Sequence, residues 1–273
     1  LSKNPDGSNN NFGEGSYAFV IDSGVQQLSD LNIEDNGWSK SWITNEDPFT
    51  DGNGHGTHVA GTIAAKVDGK GVIGVAPGAL ITSLKVFNSS GAGASYSTVL
   101  SAIDYAANII LTNNLPKEKC VINLSLGGPV SPAIDQAVKN IAASGIQFAI
   151  AAGNEAQDAD NVSPAGAGDA ENVYTVSAAD NKYEMASFSN WDDPNNGDDV
   201  DFAAPGVNVL SYYKNGQLAY LNGTSMAAPA VAGLLITGGV ETGEMVTPNG
   251  SGYADPFALT TLKEETENTP IDE

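Results

Sequence analysis

Between residues 16 and 236, short apolar runs alternate with stretches of helical spacing. Tyr17-Ala18-Phe19-Val20-Ile21 reads as a strand that runs directly into Asp22-Ser23-Gly24. A polar loop leads to a helix over 58–65, and the spacing then predicts a strand over 79–86 and a helix over 99–111. Residues 121–124 read as a strand stopping at Ser125. Residues 134–144 read as a helix, with Gly145 placed to end it. A further strand over 146–151 leads into Ala152-Gly153-Asn154, and the last helical run covers 230–236. Strand and helix alternating in this way predict an α/β domain with a mostly parallel sheet. In such sheets ligands bind beyond the carboxyl ends of the strands. Asp22-Ser23-Gly24, Ser125-Leu126-Gly127-Gly128 and Ala152-Gly153-Asn154 all fall there. After Gly238 the pattern changes, and Gly250-Ser251-Gly252 gives way to the acidic Glu264-Glu265-Thr266-Glu267 and the terminus at Glu273. The chain thus divides into a domain over 1–237 and a divergent acidic segment over 238–273, expected as a poorly ordered end or a linker.

Composition narrows the partners. A chain of 273 residues, 41% hydrophobic, can bury a substantial core. Eleven basic residues, all lysine, against 33 acidic ones leave a net charge of −22. Such a chain repels phosphate backbones, so nucleic acid is excluded as a partner, and anionic membrane surfaces are disfavoured for the same reason. No stretch reaches the roughly 20 apolar residues that span a bilayer. The acidity reads either as a solvated surface or as carboxylates that ligate calcium. The single cysteine, Cys120, allows no intrachain disulfide and sits in an apolar run, as a small buried hydrophobe would. The start carries no signal-peptide core, so the chain is either cytosolic or a mature form with its leader removed.

Candidate chemistry is dispersed along the chain. Ser225 lies in Asn222-Gly223-Thr224-Ser225-Met226-Ala227-Ala228-Pro229, ahead of the last apolar helix. A helix N-terminus favours negative charge there, although an ordinary helix cap would look the same. His55 and His58 are the only histidines, and no third ligand or HExxH pattern supports zinc. Asp22 ends a fully apolar strand, where a carboxylate could hold an imidazole or merely open a turn.

Taken together, these segments closely resemble the subtilase family, peptidase S8. The resemblance rests on Val20-Ile21-Asp22-Ser23-Gly24-Val25, His55-Gly56-Thr57-His58-Val59-Ala60-Gly61 and Gly223-Thr224-Ser225-Met226-Ala227-Ala228-Pro229. Between them lie Gly74-Val75-Ala76-Pro77, Asn123-Leu124-Ser125-Leu126-Gly127-Gly128, Ala151-Ala152-Gly153-Asn154-Glu155 and Ala204-Pro205-Gly206-Val207, in the order Asp, His, Ser. It covers about 12–235 and implies a three-layer subtilisin-like fold and serine endopeptidase activity. By this resemblance Ser225 is the nucleophile, His55 the base, His58 a structural neighbour, and Asp22 the group that orients His55. Asn154 and the Ser225 N–H would form the oxyanion hole, with Thr224 supporting Asn154. Peptide or protein substrates would pair along Ser125, Leu126, Gly127 and Gly128. Tyr96 would line a pocket, and Gly153 and Glu155 would border the pocket for the residue before the cut. Broad specificity with a preference for large apolar or aromatic residues there is expected. The resemblance also implies secretion, a removed N-terminal propeptide and a monomer.

Calcium is the implied cofactor. Residues 64–72 match in length the calcium loop of the family, with Asp30 and Asp68 giving side-chain oxygens and Lys66, Lys70 and Val72 giving carbonyls. A weaker site is expected from Asp201 and the Ala165 carbonyl, and a third over 46–51. The pattern departs from the family at Ala230, where a histidine is common, at the two lysines of the calcium loop, and after Ile236.

Overall fold

The structure is a computed structural model, and it describes residues 13–261 except 35, 194, 196–198 and 250. Its elements are β1 (Tyr17–Asp22), β2 (Lys40–Ser41), α1 (His55–Ala64), β3 (Leu80–Lys85), α2 (Tyr96–Thr112), β4 (Cys120–Leu124), β5 (Gly128–Pro129) and α3 (Pro132–Ala142). There follow β6 (Gln147–Ala151), β7 (Val162–Ser163), β8 (Val173–Ala179), β9 (Phe202–Pro205), β10 (Val209–Tyr212), β11 (Leu218–Leu221), α4 (Thr224–Thr237), β12 (Val240–Met245) and β13 (Pro256–Thr260). A nine-stranded sheet runs in the order β12-β13-β9-β8-β6-β4-β1-β3-β2. All its neighbouring strands pair in parallel except β12 and β13.

Alternation along the central strands builds two cores. Ala18, Val20, Val121, Ala149 and Val176 face α1 and α4, where Val59, Ile63, Met226, Val231 and Leu235 cover them. Phe19, Ile21, Ile122, Phe148 and Ile150 face α2 and α3, under Ile103, Ile110, Ile134 and Val138. The sheet is therefore apolar on both sides, as a parallel sheet between helical layers must be. Cys120 is buried in the second core, and burial pushes its thiol up to about 12, so it packs as a hydrophobe. Beside β1 the strand order reverses: β3 lies on one side and β4 on the other. This switch point opens a crevice at the carboxyl ends of the strands.

Two expectations change. α1 starts at His55 rather than at 58, so the first histidine stands in the first turn of the helix. The segment after Gly238 is not a free linker over 240–260. β13 pairs with β9, β12 pairs with β13, and buried Asp255 accepts a hydrogen bond from Ser177 of β8. The acidic run at 264–267 and the terminus lie outside the described residues.

Candidate active site

Asp22 ends β1 at the switch point and is buried. Its Oδ1 accepts the Ser23 N–H at 2.6 Å, and both carboxylate oxygens lie 2.9 Å from His55 Nδ1. The carboxylate therefore selects the tautomer that carries the proton on Nδ1 and leaves Nε2 as the base. The His55 side chain keeps 30% of its surface exposed. Burial lowers the affinity of this imidazole for a proton, but the charge and hydrogen bond of Asp22, with a smaller contribution from Asp51, outweigh that and raise its pKa above the usual histidine value. Helix α1 reaches Asp22 only because residue 56 is glycine: a Cβ there would stand 2.2 Å from the Gly24 carbonyl.

Asp51 anchors this side. Its Oδ1 accepts from Ser23 Oγ at 2.9 Å and from the Gly54 N–H at 2.7 Å. Its Oδ2 accepts from the Thr57 N–H at 2.9 Å and from Thr57 Oγ1 at 2.6 Å. His58 lies on the same helix but is turned away. Its Nε2 donates to the carbonyls of Val209 and Ala219, 3.0 and 3.1 Å away, and burial lowers its pKa, so it pins the β10–β11 hairpin as a neutral ring.

Ser225 is the second residue of α4, over the end of β4. Its Oγ donates to the Ser125 carbonyl at 3.3 Å, and Ser125 Oγ donates to the Ser225 carbonyl at 2.9 Å. Since β4 is the neighbour of β1, hydroxyl and imidazole stand over adjacent strand ends. Among the described residues no hydrogen bond joins Ser225 to His55, and the Ser225 hydroxyl is turned to the Ser125 carbonyl instead. Such contacts are often loose without substrate. Asn154 follows β6, and its Oδ1 accepts from the Thr224 N–H at 2.9 Å and from Thr224 Oγ1 at 3.2 Å. Only the amide oxygen can face an N–H donor, so Nδ2 is left to donate elsewhere. A Cβ at Gly223 would stand 3.6 Å from both Asn154 Oδ1 and the Ser225 backbone nitrogen, so the Asn154 amide and the start of α4 lie side by side at this glycine.

The recognition residues fall around this centre. Leu126 and Gly127 lie outside any strand, whereas Gly128 already pairs with Ser163. Tyr96 opens α2, and its hydroxyl donates to the Pro129 carbonyl. Glu155 is exposed beside Asn154, but its carboxylate turns inward: Oε2 accepts the Asn154 N–H and Asn190 Nδ2, each at 2.9 Å. The rim charge expected there is thus directed into the loop.

The calcium residues separate into two groups. Asp30 is buried, and among the described residues neither of its carboxylate oxygens has a hydrogen-bond partner of acceptable geometry. Burial, a hydrogen bond toward the Asp30 carboxylate and its charge, with a smaller effect of Asp68, push the Tyr212 hydroxyl up to about 12. Buried anions need a partner, and among the described residues the Lys66, Lys70 and Val72 carbonyls take no backbone hydrogen bond. This donor set fits a hard cation. Asp68 is less free, since its Oδ1 accepts the Lys70 N–H at 2.9 Å. At the weaker sites, Thr175 donates to both Asp201 Oδ2 and the Ala165 carbonyl, and the carboxylates of Glu46, Asp47 and Asp51 accept from Ser89, Phe49 and Thr57. Sequence reasoning missed Asp158, Asp160 and Asp199, whose oxygens lie within 4.8 Å of one another. Burial and Asp160 push the Asp199 carboxyl up to about 7.

The model of the Subtilase family matches residues 13–237. The chain belongs to the subtilase family. Cerevisin of Saccharomyces cerevisiae is 44% identical over 230 residues, 82% of this chain and 34% of that protein. A subtilisin-like serine protease of Rhodotorula mucilaginosa, Rho m 2.0101, is 44% identical over 82% of this chain and 63% of its own length. The chain thus spans about a third to two thirds of these subtilases. A cold-adapted subtilisin-like serine proteinase superposes with a TM-score of 0.75 at 33% identity, covering 97% of this chain and 95% of its own. The subtilisin-like fold is that of these relatives.

Proposed function

We propose that the chain is a serine endopeptidase acting through an acyl-enzyme. The observation that carries this is the His55 imidazole, held by Asp22 over one strand end, with Ser225 over the next. His55 Nε2 takes the Ser225 hydroxyl proton as Oγ attacks the scissile carbonyl, and it returns the proton to the departing amine. Asp22 keeps the ring in its tautomer and stabilises the imidazolium. Negative charge growing on the carbonyl oxygen meets the Ser225 N–H and Asn154 Nδ2. Substrate extends along Ser125, Leu126 and Gly127, with Tyr96 against the far side of Gly128 and Gly153 beside the oxyanion donors. A large apolar or aromatic residue before the cut is preferred; equal rates on paired peptides differing only in Phe or Asp there would overturn this. A bound calcium ion, held by Asp30 with the carbonyls of the 66–72 loop and Asp68, would stabilise the fold and take no part in the chemistry. Secretion, maturation by loss of a propeptide and action as a monomer go with this reading. Among the described residues no helix is long and apolar enough to cross a membrane.

A fluorophosphonate probe tests the proposal. It labels the protein at Ser225, and Ser225→Ala abolishes labelling. Folded protein that fails to label would instead favour a binding module that has kept the fold without hydrolysis.

A further inference from the structure

Asn190 lies on a loop that carries none of the reacting groups, yet it is 0% exposed. Its side-chain amide has two donor hydrogens and two acceptor lone pairs, and all four are used. Nδ2 donates to the Ala152 carbonyl and to Glu155 Oε2, each at 2.9 Å. Oδ1 accepts the Glu155 N–H at 3.0 Å and the Gln157 N–H at 3.2 Å. Its own N–H donates to the Gly153 carbonyl at 3.0 Å. Every one of these bonds ends on residues 152–157, the loop that carries Asn154. Glu155 closes the circuit, because the oxygen that accepts from Asn190 also accepts the Asn154 N–H. Gly153 sits at φ +107°, and a Cβ there would meet Asn190 Nδ2 at 2.3 Å, so the loop is wrapped directly on this amide.

We propose that Asn190 and Glu155 form a positioning clamp that sets the Asn154 backbone, and through it the Asn154 amide, for the oxyanion. Thr224 fixes the side-chain end of Asn154, and the clamp fixes the main-chain end. Two anchors are needed because Asn154 itself is exposed and follows a left-handed glycine, so one contact would leave its amide free to swing. This inference rests on the oxyanion role given to Asn154 above.

The experiment is a double-mutant cycle on a chromogenic peptide anilide, reading kcat and KM separately. Asn154→Ala lowers kcat by roughly 10²–10³ if the oxyanion reading holds. Glu155→Ala, at an exposed position that folding tolerates, lowers kcat by about tenfold with KM within about twofold, as displacement of a reacting donor would. Glu155→Gln keeps an acceptor for the Asn154 N–H and recovers most of that loss. Asn190→Ala lowers kcat further than Glu155→Ala. In the Asn154→Ala background both effects shrink to about twofold or less, because the clamp then positions nothing. Losses that persist undiminished in that background, or that fall on KM, would overturn the clamp. An unaffected kcat in Asn154→Ala alone would overturn the oxyanion reading instead.

Discussion

Helix α1 runs between two buried aspartates that the fold treats in opposite ways. At its N-terminal end Asp51 faces the positive pole of the helix and takes four hydrogen bonds, from Ser23, Gly54 and both donors of Thr57. Where the chain leaves α1, the Asp30 carbonyl accepts the Lys66 N–H at 2.9 Å, but among the described residues its carboxylate has only the Tyr212 hydroxyl beside it, with no hydrogen bond of good geometry. There the helix pole is negative, so it adds to the electrostatic strain on the carboxylate. The chain supplies its own donors where the reacting geometry has to be rigid, around His55. On the proposed calcium reading, it leaves a charge for an external cation where only the fold is at stake. Asp51 belongs to the site and Asp30 to its foundation.

The largest expected effect breaks the first half of this contrast. Asp51→Ala strands two backbone N–H groups and two hydroxyls in a buried place, and should destabilise the protein by about 3–5 kcal/mol in chemical denaturation. Asp51→Asn is not a gentle version. Each carboxylate oxygen accepts from a backbone N–H, so whichever atom becomes NH₂ faces another donor. It also carries a pH signature. Asp22 and Asp51 both raise the His55 pKa, and neutral His58 does not offset them, so loss of the Asp51 charge moves the acid limb of kcat/KM to lower pH. A limb that stays in place or moves up would show that Asp51 does not bear on the base.

How far these aspartates were legible differs for physical reasons. Asp22, His55, Asn154 and Ser225 stand in ordered local motifs, and the roles proposed for them come from the family resemblance that those motifs carry. Asp30 was readable only through the length of the loop after α1. Asp51 was not: Asp51-Gly52-Asn53-Gly54 looks like any turn, and its partners Ser23 and Thr57 reach it only through the tertiary fold. The same holds for the start of α1, since His55-Gly56 has weak helix propensity and the helix begins there because Asp51 ties down its first turn. Asn190 left no signal either, for a single asparagine after Ser-Phe-Ser reveals its four bonds only once the loop is folded over it. β12 and β13 were missed because Val240–Met245 is an edge strand with mostly exposed side chains, carrying two glutamates and a glycine.

An intermediate effect tests the second half. Calcium at a hundred times its dissociation constant should stabilise the fold by about 2.7 kcal/mol, and chelation with EGTA should lower Tm by roughly 5–10 °C. Asp30→Asn makes the melting temperature indifferent to calcium. In EGTA this variant melts at or above the parent, because it removes a buried charge that nothing then balances. A parent unmoved by EGTA would return Asp30 to the class of ordinary buried groups and dissolve the contrast.

The smallest effect concerns how well the loop is tuned for its cation. Lys70 Nζ stands 3.8 Å from Asp68 Oδ2 with its side chain 77% exposed, an ion pair that water screens almost completely. Lys70→Ala should therefore change stability in EGTA by no more than about 0.5 kcal/mol. With calcium present its effect has a definite sign. The lysine charge competes with the cation for Asp68, so its removal tightens binding, and the calcium needed for half of the Tm gain falls. The Lys70 carbonyl remains in place in the variant, so weaker binding could not be blamed on a lost ligand. It would mean instead that Lys70 holds the loop in its binding shape, and that the chain contributes order as well as oxygens at the Asp30 end of α1.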